Sequence, residues 1–123
     1  MSIYNEIGHE KLKEILTLFY NRLFEDPFVG FLFASFDKED LLAKQILFTG
    51  KLLGATELKY EGKGLREAHF PHPIRSAHFG RRQVILRSVL EELNVPEPII
   101  SEWLALELSL KAFVVKGRGD CEA

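Results

Sequence analysis

The sequence predicts an all-α fold, and three observations carry that prediction. Apolar residues recur at helical spacing in four segments, most clearly in Leu12, Ile15, Leu16, Phe19, Tyr20 and Leu23. The breaks between segments hold residues that stop or start helices, namely Pro27, Asp37, Gly54 and Pro96. The β-like stretch Leu58–Tyr60 is too short to build a sheet.

The first helix is expected from His9 to Glu25. Pro27 stops it, because the ring disfavours helical geometry at the preceding Asp26. Phe28 to Phe36 is an aromatic corner without a clear period. Asp37 is a good N-cap for the second helix, with Lys38, Glu39 and Asp40 as its polar first turn. That helix runs to about Leu53 and ends at Gly54. Gly62, Gly64, Pro71 and Pro73 make Ala55 to Pro73 irregular, with a short helical turn expected around Leu65–Phe70. The third helix starts near Ser76 and ends at Leu93–Asn94. The fourth starts near Pro96–Pro98 and runs to about Val115, with Ile99, Trp103, Leu106, Leu110 and Phe113 as its main stripe. One domain over residues 1–116 is expected, followed by a flexible tail over residues 117–123.

A chain of 123 residues is long enough for one domain with its own core. The net charge of −2, with no basic stripe, argues against nucleic acid as a partner. No run approaches the roughly 18 apolar residues that suggest a membrane span, and Met1–Lys11 does not read as a signal peptide. Cys121 is the single cysteine, so no disulfide forms within the chain, and a cytoplasmic location is expected. Ten phenylalanines, mostly in the first 80 residues, suit either a Phe-rich core or the wall of a pocket for a large flat ligand.

Three polar residues stand where the periodicity expects carbon: Tyr20, Gln45 and His69. The Tyr20 ring fits a core, but its hydroxyl needs a partner. Gln45 lies between Leu41 and Phe48 on the second helix. Its amide either faces a pocket, points out at a rim, or bonds to backbone, since a buried amide without partners costs about 1–3 kcal/mol. A lone histidine such as His69 is usually structural, yet imidazole is also a common axial ligand of haem iron. His69 and His72 form an H-x-x-H pair near His78, but Pro71 and Pro73 prevent one helix from presenting both rings, which argues against zinc. His9 reads as a surface residue without a partner. Arg81-Arg82 and Glu91-Glu92 also read as surface, although an arginine there would suit an anionic partner. No nucleophile elbow, phosphate loop or dinucleotide fingerprint is present.

Taken in order, these residues resemble the truncated haemoglobins, the short two-over-two globins, and within them the first subgroup. Ser2-Ile3-Tyr4 with Gly8 is similar to the family's opening. Phe19-Tyr20 followed by Asp26-Pro27 is similar to its F-Y…D-P signature, and Leu32-Phe33 to its aromatic pair. Lys44-Gln45, Phe48 and Leu53-Gly54 resemble its distal helix, and Ile74 with His78-Phe79 follows His69 at the family's distances. The chain departs from the pattern at Gly8-His9 and at Leu53-Gly54-Ala55, where the family usually pairs glycines.

The resemblance implies a globin-like two-over-two helical sandwich around haem b, iron protoporphyrin IX. It makes His69 the iron ligand and places Phe33, Leu41, Lys44, Phe48 and Phe79 around the haem, with Lys44 reaching a propionate. Tyr20, Leu41 and Gln45 become the distal pocket. The implied activity is reversible binding of O2, and of CO and NO, at a five-coordinate iron. Two alternatives are nitric oxide dioxygenation, with an external reductase renewing ferrous iron, and gas sensing through a partner. Without haem, a helical interaction module is the remaining reading.

Overall fold

A computed structural model of the chain describes residues 2–55 and 75–111. Ser2 extends its backbone, and its hydroxyl accepts from the Asn5 amide at 3.1 Å, which starts α1, Ile3–Ile7. Gly8, at φ +86°, ends that turn and leads into α2, His9–Glu25. A 3-10 turn follows at Gly30–Phe33. The Asp37 carboxylate accepts from the Asp40 amide at 3.2 Å and opens α3, Lys38–Leu52. α4 spans Ser76–Glu92 and α5 spans Glu97–Leu108, with Pro98 in the first turn of α5. No strand occurs among the described residues.

α2 is the centre of the molecule. It packs against α1, α3 and α4, while α5 packs on α4. Its inner stripe of Leu12, Ile15, Leu16, Phe19, Tyr20 and Leu23 is buried, and Leu86, Val89 and Leu90 of α4 and Ile100 and Trp103 of α5 complete the core. Full burial of each such aliphatic side chain stabilises the fold by about 1.5–3 kcal/mol. No helix of the described residues is long and apolar enough to cross a membrane.

Two close approaches tie the elements together. The Tyr4 amide donates to the Leu53 carbonyl at 3.0 Å, so α1 is stitched to the end of α3. Gly54 sits at φ +112°, where a Cβ would lie 2.3 Å from the Ser2 Cβ. Any side chain at this position would push α1 off. At the other corner, a Cβ on Gly30 would lie 2.7 Å from the Phe24 carbonyl oxygen, so the 3-10 turn passes directly over the end of α2.

The predicted helices at His9–Glu25, after Asp37 and from Ser76 are present. Three expectations change. α1 is an additional short helix, held by the Ser2 cap and by the burial of Ile3 and Tyr4. His9 has a partner, since its Nδ1 lies 2.9 Å from the Tyr4 hydroxyl and the two rings meet edge-on. The buried stripe of α5 is Ile100, Trp103 and Glu107, one residue out of phase with the expected Ile99 and Leu106, which are only partly covered. Leu58–Tyr60, Leu65–Phe70, Phe113, Val115, Cys121 and the expected tail lie outside the described residues.

Candidate functional site

Tyr20 is 5% exposed, and its hydroxyl has been carried into the interior with its ring. The ring meets Phe19 edge-on at 5.0 Å and Phe33 at 6.4 Å and 89°. Phe33, from the 3-10 turn, is buried in turn and stacks on Phe24 at 5.0 Å. The aromatic corner of the sequence is therefore a wall built against α2 rather than a loose connection. Burial pushes the Tyr20 hydroxyl above the ordinary phenol range, with Arg82 working against that rise. The group stays protonated near neutrality and can donate a hydrogen bond.

Asp26 fixes the path from α2 into this wall. Its carboxylate accepts from the Phe28 amide at 2.9 Å and the Val29 amide at 3.1 Å. Arg81 of α4 adds a forked contact to Oδ1, at 3.0 Å from Nε and 2.7 Å from Nη2. The Arg81 hydrogen bond, helped by the two amides and opposed by burial, holds the Asp26 carboxyl below its usual range.

α3 supplies the second wall. Leu41, Gln45 and Phe48 share one face by their spacing, and all three are only half-buried. Thr49 and Gly50 are the buried residues of this helix. Among the described residues, the Gln45 amide has no side-chain hydrogen-bond partner. Lys44 is exposed and pairs with Asp40 one turn earlier at 3.3 Å. From α4, Phe79 is buried near Tyr20's helix, and the Arg82 guanidinium lies over both the Phe79 and the Phe19 rings.

Tyr20, Phe33 and Phe79 thus lie in the interior, and Leu41, Gln45 and Phe48 lie on a partly covered helix face. His69, with His72, lies outside the described residues. Apolar carbon on several sides, with a buried hydroxyl and an amide lacking a side-chain partner among the described residues, fits a large flat apolar group such as haem. Sequence reasoning placed Arg82 at the surface and did not single out Glu107. Arg82 Nη1 lies 2.9 Å from Glu107 Oε1, and Glu107 is 5% exposed. The signal for this pair was the charged Glu107 inside the otherwise apolar run of α5.

Comparison with known proteins gives one consistent result. The model of the bacterial-like globin family matches residues 2–113. The group 1 truncated hemoglobin of Tetrahymena pyriformis is 31% identical over 102 residues, covering 82% of this chain and 84% of that protein. A group 1 truncated hemoglobin of Synechocystis is 30% identical over 110 residues, covering 85% and 88%. The crystal structure of the truncated hemoglobin from Tetrahymena pyriformis in its Fe(III) form superposes with a TM-score of 0.88. It is 26% identical and covers 95% of this chain and 100% of that one.

Proposed function

Because the chain belongs to the group 1 truncated haemoglobins and is therefore a haem-binding globin, we propose that it holds haem b through His69 and reversibly binds O2, with Tyr20 as the principal donor to the bound gas. When bound, haem b supplies a ferrous iron with an open position for a diatomic ligand such as O2, CO or NO. The observation that carries the reading is the buried, protonated phenol of Tyr20 between Phe19 and Phe33.

Each residue has a distinct part. His69 would bind the iron through one imidazole nitrogen. Phe33, Leu41, Phe48 and Phe79 would give the macrocycle apolar contact and keep water from its faces. Lys44, already at the surface, would exchange its Asp40 contact for a propionate carboxylate. Tyr20 would donate to the gas from a site of low dielectric, where a hydrogen bond is stronger than in water. Gln45, without a partner among the described residues, would orient the Tyr20 hydroxyl or donate beside it.

A hydrogen bond of this charge-assisted kind is worth about 1.5–3 kcal/mol, or about 10- to 100-fold in dissociation rate. The test is stopped-flow measurement of O2 release from the reduced, haem-loaded protein. Tyr20→Phe is expected to accelerate release by about that factor. An unchanged rate would remove Tyr20 from this role.

A further inference from the structure

Phe24 stands where three elements meet. It lies near the end of α2, one helical turn after Tyr20, so the two side chains are neighbours on one face of that helix. Its ring stacks on Phe33 of the 3-10 turn, with the centroids 5.0 Å apart and the planes 27° from parallel. Phe33 in turn meets Tyr20 edge-on, at 6.4 Å and 89°. The ammonium of Lys38, which opens α3, is 5.9 Å from the centre of the Phe24 ring. The backbone of Phe24 is engaged as well. A Cβ on Gly30 would lie 2.7 Å from the Phe24 carbonyl oxygen, so a glycine is what lets the turn come down onto α2. The turn that carries Phe33 therefore rests on Phe24 twice, once at Gly30 and once through the rings.

Burial alone does not ask for an aromatic ring here. Phe24 is only half-buried, whereas Tyr20 and Phe33 are 5% and 6% exposed. An aliphatic side chain would also remove apolar area from water. What the flat ring adds is direction. Aromatic pairs prefer offset-stacked or edge-to-face arrangements, and Phe33 makes one of each. The stack on Phe24 sets the plane of the Phe33 ring, and the edge contact sets where that plane meets Tyr20. A leucine in place of Phe24 would fill space without setting the plane.

We propose that Phe24 is a positioning residue that holds the plane of the Phe33 ring against Tyr20 and thereby governs how long the protein retains haem. The inference rests on the reading of Phe33 as a contact of the macrocycle. It adds a residue whose effect on haem passes through Phe33 alone.

The test uses the full-length, haem-loaded protein, with an excess of haem-free myoglobin to take up released haem. Phe24→Leu is expected to lose haem about twofold to tenfold faster, the factor for one aromatic pair. Phe24→Tyr, which keeps the flat ring, is expected to stay at the parental rate. In a Phe33→Leu background, Phe24→Leu is expected to add nothing. Equal acceleration in both backgrounds, none in the parent, or a Phe24→Tyr rate as fast as that of Phe24→Leu overturns the proposal. A second readout follows the rings themselves. The Tyr20 ring-proton resonances of the reduced, CO-treated protein, assigned by their loss in Tyr20→Phe, feel the ring current of Phe33. They are expected to move in Phe24→Leu, and to move much less when the same change is made in the Phe33→Leu background. A merely space-filling role for Phe24 would move them equally in both. If the parent takes up no haem, the gas-binding reading fails. The same resonances in the haem-free protein then decide whether Phe24 holds Phe33, and resonances unmoved by Phe24→Leu overturn that role.

Discussion

Arg81 and Arg82 are neighbours in α4, and each pairs with a carboxylate, but their surroundings differ. Arg81 is 44% exposed and reaches Asp26, whose oxygens also accept from the Phe28 and Val29 amides. Arg82 turns inward, to a glutamate buried beside Trp103, and lies over the ring of Phe19. In the first region the ion pair finishes a backbone turn, and the carboxylate does most of the structural work. In the second no backbone amide is involved, and the pair joins α4 to α5 in the interior. Two arginine–carboxylate pairs therefore act on different links of the chain from sequence to structure, one on the path of the backbone and the other on the packing of two helices.

That contrast can be broken from either side. The largest effect is expected from Glu107→Ala, which strands the Arg82 charge in the interior. It should destabilise the protein by about 3 kcal/mol in urea denaturation. Asp26→Ala orphans two amides and the Arg81 fork, and should cost about 2 kcal/mol. Because the side-chain hydrogen bonds of Asp26 among the described residues go to Phe28, Val29 and Arg81, O2 release should stay at the parental rate. A changed rate would show that the turn and the site are not separable. Arg81→Gln keeps the two amide bonds to Asp26 and removes a half-exposed partner, so its loss should be under about 1 kcal/mol.

The pH dependence sharpens the same point. The folded-state carboxyl of Asp26 titrates below the usual aspartate range, chiefly because Arg81 hydrogen-bonds it. A lowered value means that its stabilising contribution is present above the unfolded value and is lost as pH falls through the folded one. The stability difference between the parent and Asp26→Ala should be steady from about pH 5 to 7 and shrink below about pH 4. A gap that instead widened on acidification would contradict the assignment.

Much of this was legible in the sequence, for reasons that also explain what was not. α2 announces itself because one long stripe faces one core, and its end is set by the Asp26-Pro27 step. Asp37 is a local signal, and the structure uses it as a cap. α1 spans only five residues, too few to show a period, and depends on a carbonyl of Leu53 far along the chain. The phase of α5 was ambiguous because Ile99 and Ile100 are adjacent and Leu104 and Leu106 flank the true stripe. Arg82 read as surface because it is charged, and the one hint of its partner was Glu107 standing in the otherwise apolar run of α5. In the site, the burial of Tyr20 followed from its place on the stripe of α2. The Arg82 guanidinium over the neighbouring Phe19 ring did not, since it comes from α4.

The claim on which everything else depends is that this chain holds haem through His69, and an absorption spectrum tests it most directly. The purified protein, supplied with haem, reduced and then exposed to CO, is expected to show an intense Soret band that shifts on CO binding. His69→Ala is expected to lose or markedly alter that band. A protein that takes up no haem under these conditions, or whose spectrum is indifferent to His69→Ala, would contradict the account.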